Sequence, residues 1–276
     1  MSIIFLFSGQ SRTSPFSHNY NRNNILESYN KFIFTPEFKA CYKYSIYITT
    51  DDIHLDNTFS YFNETNIGNI HLLNTEYYKK NVKTESKNIE YYLTKYNDNI
   101  DWQQGFWKYD NSIHQHYKLM DCYNLFINDS DNTINITNCD FIVRLRLDTE
   151  FVANILDVLE NFKINPTLEI ITCYDLFAIG KAKIMECYCN GLNNNYGKYN
   201  CKYEDERDWF HKFFQLLLNY CNNNNMNIND CNVLDKYKWT YAPERQLFEM
   251  LFIYCDKNNL DINNTIKDMY CCKIIR

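Results

Sequence analysis

A chain of 276 residues is long enough for one large domain or two small ones with a sizeable core. With 45% hydrophobic and 17% aromatic residues, it is globular rather than disordered. Its 28 basic and 34 acidic residues leave a net charge of −6 and a pI near 5.5, which argues against a general nucleic-acid binder; an anionic ligand must be met by local cations.

Asparagine, tyrosine, isoleucine and lysine are abundant, as AT-rich coding produces. That bias accounts for the run Asn222–Asn225 and for chance glycosylation sequons at Asn63, Asn128, Asn135 and Asn263. The 12 cysteines are scattered, and Cys187, Cys189, Cys201 and the Cys271-Cys272 pair lack the paired spacing of a structural zinc site. Free, mostly buried thiols in a reducing compartment are expected. Ile3–Phe7 is too short and lacks the basic flank of a signal peptide, and no run is long enough to span a bilayer.

In chain order, Ser2–Phe7 reads as a first strand ending in Ser8-Gly9-Gln10-Ser11-Arg12-Thr13. Open α/β sheets place a ligand-binding loop after the first strand; Gly9 lets the backbone come close, and Arg12 can reach a phosphate. An ordinary strand-to-helix turn is the alternative. A helix is expected over Asn24–Phe34 and a second strand over Tyr44–Thr49, where Asp51 or Asp52 either touches a ribose or base or caps the next element. Ile70–Leu73 is a third strand, and Thr75–Tyr96 a long helical stretch. Around His114–Tyr123 a helix places Ile113, Tyr117 and Met120 on a core stripe, and Gln115, Lys118 and Cys122 on another from which Lys118 can meet a phosphate. His114 and His116 face different sides and read as surface residues.

The stretch Asp140–Glu150 carries the strongest signal. Phe141, Val143, Leu145 and Leu147 alternate with Ile142, Arg144, Arg146 and Asp148, so one strand face is apolar and the other carries two guanidinium groups and then a carboxylate. Such a row calls for a charged ligand or metal; a solvated face with Asp148 paired to Arg146 is the plain alternative. A helix over Phe151–Phe162 follows, then a β-like run Leu168–Cys173, the motif Tyr174–Gly180 and a helix Lys181–Tyr188. Asn190–Lys202 reads as a loop, Glu204–Tyr220 as an amphipathic helix, Val233–Tyr241 as β-like, Pro243–Tyr254 as a helix and Met269–Ile275 as a last strand. Strands alternating with helices predict a mixed α/β sheet in one continuous domain over residues 1–276.

Taken together, the first-strand Ser-Gly-Gln-x-Arg-Thr, the Gln/Tyr/Lys helix, Asp-Phe-Ile-Val-Arg-Leu-Arg-Leu-Asp, Asp-Leu-Phe-Ala-Ile-Gly and a late Pro-Glu-Arg-Gln-Leu-Phe resemble glycosyltransferase-like proteins of bacterial surface-polysaccharide clusters and large DNA viruses. The resemblance implies a Rossmann-like fold of the GT-A type: a mixed sheet flanked by helices, with a nucleotide-binding part over about 1–150 and an acceptor-side part over about 151–276. It implies a transferase moving a sugar from a nucleotide-sugar donor to a glycan or other hydroxyl acceptor, in the cytoplasm (the host's, if viral).

It also implies a Mn²⁺ or Mg²⁺ ion on the diphosphate, held here by Asp148 and Glu150, where Asp-Thr-Glu stands in place of Asp-x-Asp. Ser8, Gly9, Gln10, Arg12 and Lys118 would line the diphosphate; Arg144 and Arg146 either help there or brace the acid. Asp175 or Glu244 would serve as base for the acceptor hydroxyl. For Asp175 the alternatives are acceptor binding or a turn cap, and for Glu244 a helix-start acid. A catalytically inactive nucleotide- or carbohydrate-binding protein of the same fold is the competing reading. A nuclease or kinase is a third reading, but the chain has no P-loop or kinase signature and its net acidity makes nucleic acid a poor substrate.

Overall fold

The computed structural model describes residues 1–9, 22–50, 69–74, 118–190, 251 and 254–274. Strand β1 (Ser2–Gly9) is apolar on both sides, as a central parallel strand covered by helices must be. It pairs in parallel with β2 (Lys43–Thr50) and with β4 (Phe141–Arg146), and β2 pairs in parallel with β3 (Asn69–Asn74). Beyond β4 the sheet turns antiparallel through β7 (Phe177–Gly180) and β6 (Ile170–Cys173), and β8 (Ile266–Asp268) then pairs in parallel with β6. The resulting order is β3-β2-β1-β4-β7-β6-β8. This is the expected mixed, Rossmann-like sheet, and its direction of winding reverses between β1 and β4.

Helices cover both faces. The helix α1 (Arg22–Phe32) and the short α2 (Pro36–Cys41) connect β1 to β2. Thr35 caps α2 by accepting from the Phe38 N–H at 3.1 Å, with Pro36 in the first turn, where its missing N–H costs nothing. They share one core with α4 (Ile155–Ile164), built on Phe5, Phe7, Val143, Leu145 and Leu147. Phe5 anchors it, with its ring 5.0 Å from Phe34 and 5.8 Å from Phe38. On the opposite face, α3 (118–127) and α5 (Ala182–Asn190) pack over Ile4, Leu6 and Ile142. A four-residue helix, α6 (Ile262–Thr265), leads into β8.

Several expected elements shift. Phe151 does not begin a helix: β5 (Thr149–Phe151) pairs antiparallel with β9 (Cys272–Ile274), and the helix starts only after Asn154, whose side chain caps it by accepting from Leu156 N–H at 2.9 Å. The motif over 174–180 contains a full strand, β7, hidden in sequence because it is only four residues long. Gly180 ends that strand where a β-carbon would come within 2.9 Å of the Glu169 carbonyl and 3.1 Å of Met185, so only glycine fits. In α3 the stripe that carries Lys118 and Cys122 faces the sheet. The Cys122 thiol lies 3.3 Å from the Tyr47 carbonyl and 3.6 Å from that of Phe7. Met120, on the expected core stripe, is buried as well. The cysteines among the described residues are free thiols, and all but Cys41 are buried.

Candidate functional site at the reversal of the sheet

Ligands of open α/β sheets lie beyond the carboxyl ends of the strands, at the point where the winding reverses. Here that point is flanked by Gly9 at the end of β1 and Leu147-Asp148 after β4. A β-carbon on Gly9 would sit 3.3 Å from the Leu147 backbone nitrogen, so glycine lets the two strand ends close on each other. Because β7 runs antiparallel to β4, its first residues return to this same edge, and Arg146 N–H donates to the Leu176 carbonyl at 3.0 Å.

The alternation read in Asp140–Glu150 holds. Val143, Leu145 and Leu147 enter the first core, whereas Ile142 lies in the second, on the face that also bears Arg144 and Arg146. The Arg146 guanidinium donates from Nε to Asp148 Oδ1 at 2.8 Å, from Nη2 to Asp148 Oδ2 at 2.6 Å and from Nη1 to Asp175 Oδ2 at 2.5 Å. One planar cation thus joins two buried carboxylates from the turns after β4 and before β7, geometry that lysine could not supply. Burial works against its charge, but the hydrogen bond to Asp148 and the charges of Asp175 and Asp148 outweigh it and hold the guanidinium above its ordinary pKa. The pairing with Asp148 is the plain alternative's, but the face is not solvated: Asp148 and Asp175 are both buried. From the other core, the Tyr29 hydroxyl on α1 donates to the Arg146 carbonyl at 3.1 Å and fixes this strand end.

Arg144 has no such satisfaction. It is 1% exposed, and its Nε and Nη1 have no hydrogen-bond partner. Tyr188 of α5 is near enough for the guanidinium to act on its phenol through charge and hydrogen bonding, against the burial that pushes the phenol up, although its hydroxyl lies outside ordinary hydrogen-bond geometry. Ser8 is the parallel partner of both Arg146 and Thr49, and the buried hydroxyls of Ser8 and Thr49 are likewise unpartnered. An unsatisfied buried donor costs about 1–3 kcal/mol, and more when charged, so orphans gathered at one strand end point to a missing acceptor. Lys118 lies at the same rim, its Nζ donating to the Gly9 carbonyl at 3.3 Å from within a buried position.

The structure therefore brings Ser8, Gly9, Lys118, Arg144, Arg146, Asp148 and Asp175 to one edge. Gln10, Arg12 and Glu244 lie outside the described residues. Glu150 goes elsewhere: it faces Lys273 across the β5–β9 pair, with Oε2 and Nζ 3.0 Å apart. This bears directly on the expected divalent ion. Both Asp148 oxygens accept from Arg146, Glu150 is engaged by Lys273, and among the described residues no group of three or more His, Cys, Asp or Glu could hold a metal. As arranged, Asp148 and Glu150 do not fit a divalent ion, since Arg146 holds both Asp148 oxygens and Glu150 is turned to Lys273 on the β5–β9 pair. Tyr188 and Thr49 were not singled out in the sequence; one tyrosine among 24 carries no local signal.

No protein-family model and no curated protein sequence matches the chain. Among solved structures it is similar to mouse xyloside xylosyltransferase 1 in its apo form, at 8% identity and a TM-score of 0.43, over 97% of this chain and 84% of that one. It is also similar to a cytidylyltransferase from Leptospira borgpetersenii serovar Hardjo-bovis (strain JB197), at 13% identity and a TM-score of 0.32, over 94% of each chain. These likenesses are distant, and the site rests on its own geometry. No helix among the described residues is long and apolar enough to cross a membrane.

Proposed function

We propose that the chain is a glycosyltransferase of GT-A-like architecture that takes a nucleotide-sugar donor at the β1–β4 edge and a glycan or other hydroxyl acceptor on the β6–β7 side. One observation carries the reading: the buried Arg144 guanidinium has two N–H groups without an acceptor, beside orphaned hydroxyls, at the edge where such sheets bind phosphate ligands. A diphosphate oxygen supplies the missing acceptor. Each charge-assisted bond is worth about 1.5–3 kcal/mol.

Departure of a nucleoside diphosphate from the anomeric carbon builds negative charge on its oxygens. Arg144, with Lys118, stabilises that charge in place, without reorganisation, and Arg12 is proposed to add a further cation. Arg146 holds Asp148 and Asp175 in position beside it. Asp175, at the turn into β7, is the candidate to receive the acceptor's proton, and Glu244 is the other. The diphosphate is met by these protein cations, because Asp148 and Glu150 already face Arg146 and Lys273. A donor of this class is a cytoplasmic metabolite, which fits a chain acting there.

A second reading has support in the same residues. Because Arg146 occupies both Asp148 oxygens, a nucleotide- or carbohydrate-binding protein without turnover is consistent with the site. A thermal-shift screen of nucleotide sugars, with and without Mn²⁺, decides between them, since a ligand selective for the folded state raises its apparent stability. Selective stabilisation, followed by sugar transfer or donor hydrolysis, is expected. Stabilisation without turnover under any metal condition establishes the binding protein, and no response to any nucleotide sugar overturns the transferase and any nucleotide-binding role.

A further inference from the structure

Tyr174 is unused by the reading so far. It lies in the turn between β6 and β7, directly before Asp175, and the turn is closed by Leu176 N–H donating to the Cys173 carbonyl at 3.0 Å. Tyr174 is 66% exposed, as Tyr270 also is, but unlike Tyr270 it has a φ of 52°, in the left-handed region. Among the described non-glycine residues only Asn259 shares that region, and asparagine tolerates it through its short polar side chain. An aromatic residue has no such compensation, and glycine would occupy the turn without strain.

A strained backbone that holds a large ring out in solvent needs a reason beyond folding. Its position offers one. The turn follows the carboxyl end of β6, on the same edge as Gly9 and Asp148, and Arg146 donates to the residue next to Tyr174. Strand order β1-β4-β7-β6 places the turn three strand spacings from β1, roughly 14 Å at the usual interstrand distance. A nucleobase seated over β1 and β2 lies away from it, and an acceptor approaching Asp175 lies against it.

We infer that Tyr174 is a stacking platform for the apolar C–H face of a sugar ring in the acceptor, held beside Asp175. Aromatic rings take flat, partly apolar ligands face-on without demanding directional hydrogen bonds, which suits a ring whose hydroxyls must remain free to react. The role as acceptor site rests on the transferase reading; sugar stacking itself does not.

Saturation-transfer NMR on the full chain tests it, using the methyl glycosides of xylose, glucose, galactose and mannose as probes. Wild type, Tyr174→Phe and Tyr174→Gly are compared, with melting temperature and UDP and GDP calorimetry on each. Wild type and Tyr174→Phe are expected to saturate the ring protons of at least one glycoside. Tyr174→Gly is expected to lose about fivefold or more in affinity, the effect of removing one stacked aromatic, while melting at the same or a higher temperature. Undiminished transfer in Tyr174→Gly, or none in the wild type, overturns the proposal. So does a lowered melting temperature, which would show a packing role, or an equal loss of UDP or GDP binding, which would show a nucleobase platform. Glycoside transfer that depends on Tyr174 in a protein binding neither UDP nor GDP upholds the platform and removes only the transferase reading.

Discussion

The two faces of the central strands are built on opposite terms. Phe5, Phe7, Val143, Leu145 and Leu147 meet α1, α2 and α4 on one face in a continuous apolar core. The other face begins the same way with Ile4, Leu6 and Ile142, but towards the carboxyl ends of β1 and β4 it turns to Ser8, Arg144 and Arg146. Both are buried, so burial alone does not separate them. Hydrogen bonding does: on the second face Arg146 is engaged by two carboxylates, while Arg144, two register positions deeper, keeps N–H groups without acceptors. The contrast teaches that a charged residue inside a sheet can be either a brace or a receptor, and that its partners distinguish the two.

Substitutions can break or sharpen that contrast. The largest effect is expected for Arg146→Met, which strands Asp148 and Asp175 together without their shared cation. A loss of about 3–5 kcal/mol in urea unfolding is the expectation for removing one partner of a buried ion pair. A change under 1 kcal/mol would show that the brace contributes little.

Gly180→Ala comes next. Its methyl group would press on the Glu169 carbonyl and Met185, where the second face is tightly packed, and a loss of about 1–3 kcal/mol is expected from the same measurement.

Arg144→Met should do the reverse of Arg146→Met. Replacing an unpartnered buried cation by an apolar side chain is expected to leave stability unchanged or raise it by about 1–4 kcal/mol, while calorimetry shows nucleoside-diphosphate binding reduced at least about tenfold. Destabilisation without loss of binding would make Arg144 a second brace. The smallest effect belongs to Ser8→Ala, whose hydroxyl has no partner to lose: stability within about 0.5 kcal/mol of wild type, and binding weakened by about 0.5–1.5 kcal/mol.

Local periodicity made some of this visible beforehand. The alternation in Asp140–Glu150 correctly predicts which residues face which core, and the two-residue spacing of Arg146 and Asp148 puts them on one side. Lys118 was marked by its place on a helix, and it does reach the end of β1. Glu150, two residues beyond Asp148, follows the same spacing and yet turns away, because β5 leaves the main sheet to pair with β9. Sequence near Glu150 has no record of a partner strand more than 120 positions later. Strand β7 is not legible for a related reason: four apolar residues have no periodicity of their own until neighbours on both sides supply hydrogen bonds.

Sequence alone determined the class of fold, the apolar and charged sides of β4, and the residue types able to meet an anion, because these follow from side-chain alternation and composition. Tertiary structure decided which charges are satisfied. Asp175 reaches Arg146 from 29 residues away only because β7 runs antiparallel to β4, and Tyr188 comes near Arg144 only because α5 folds back over that face. The distinction between a brace and a receptor depends on partners brought in from elsewhere in the chain. Local sequence fixes what a side chain can donate, but not what will be there to accept it.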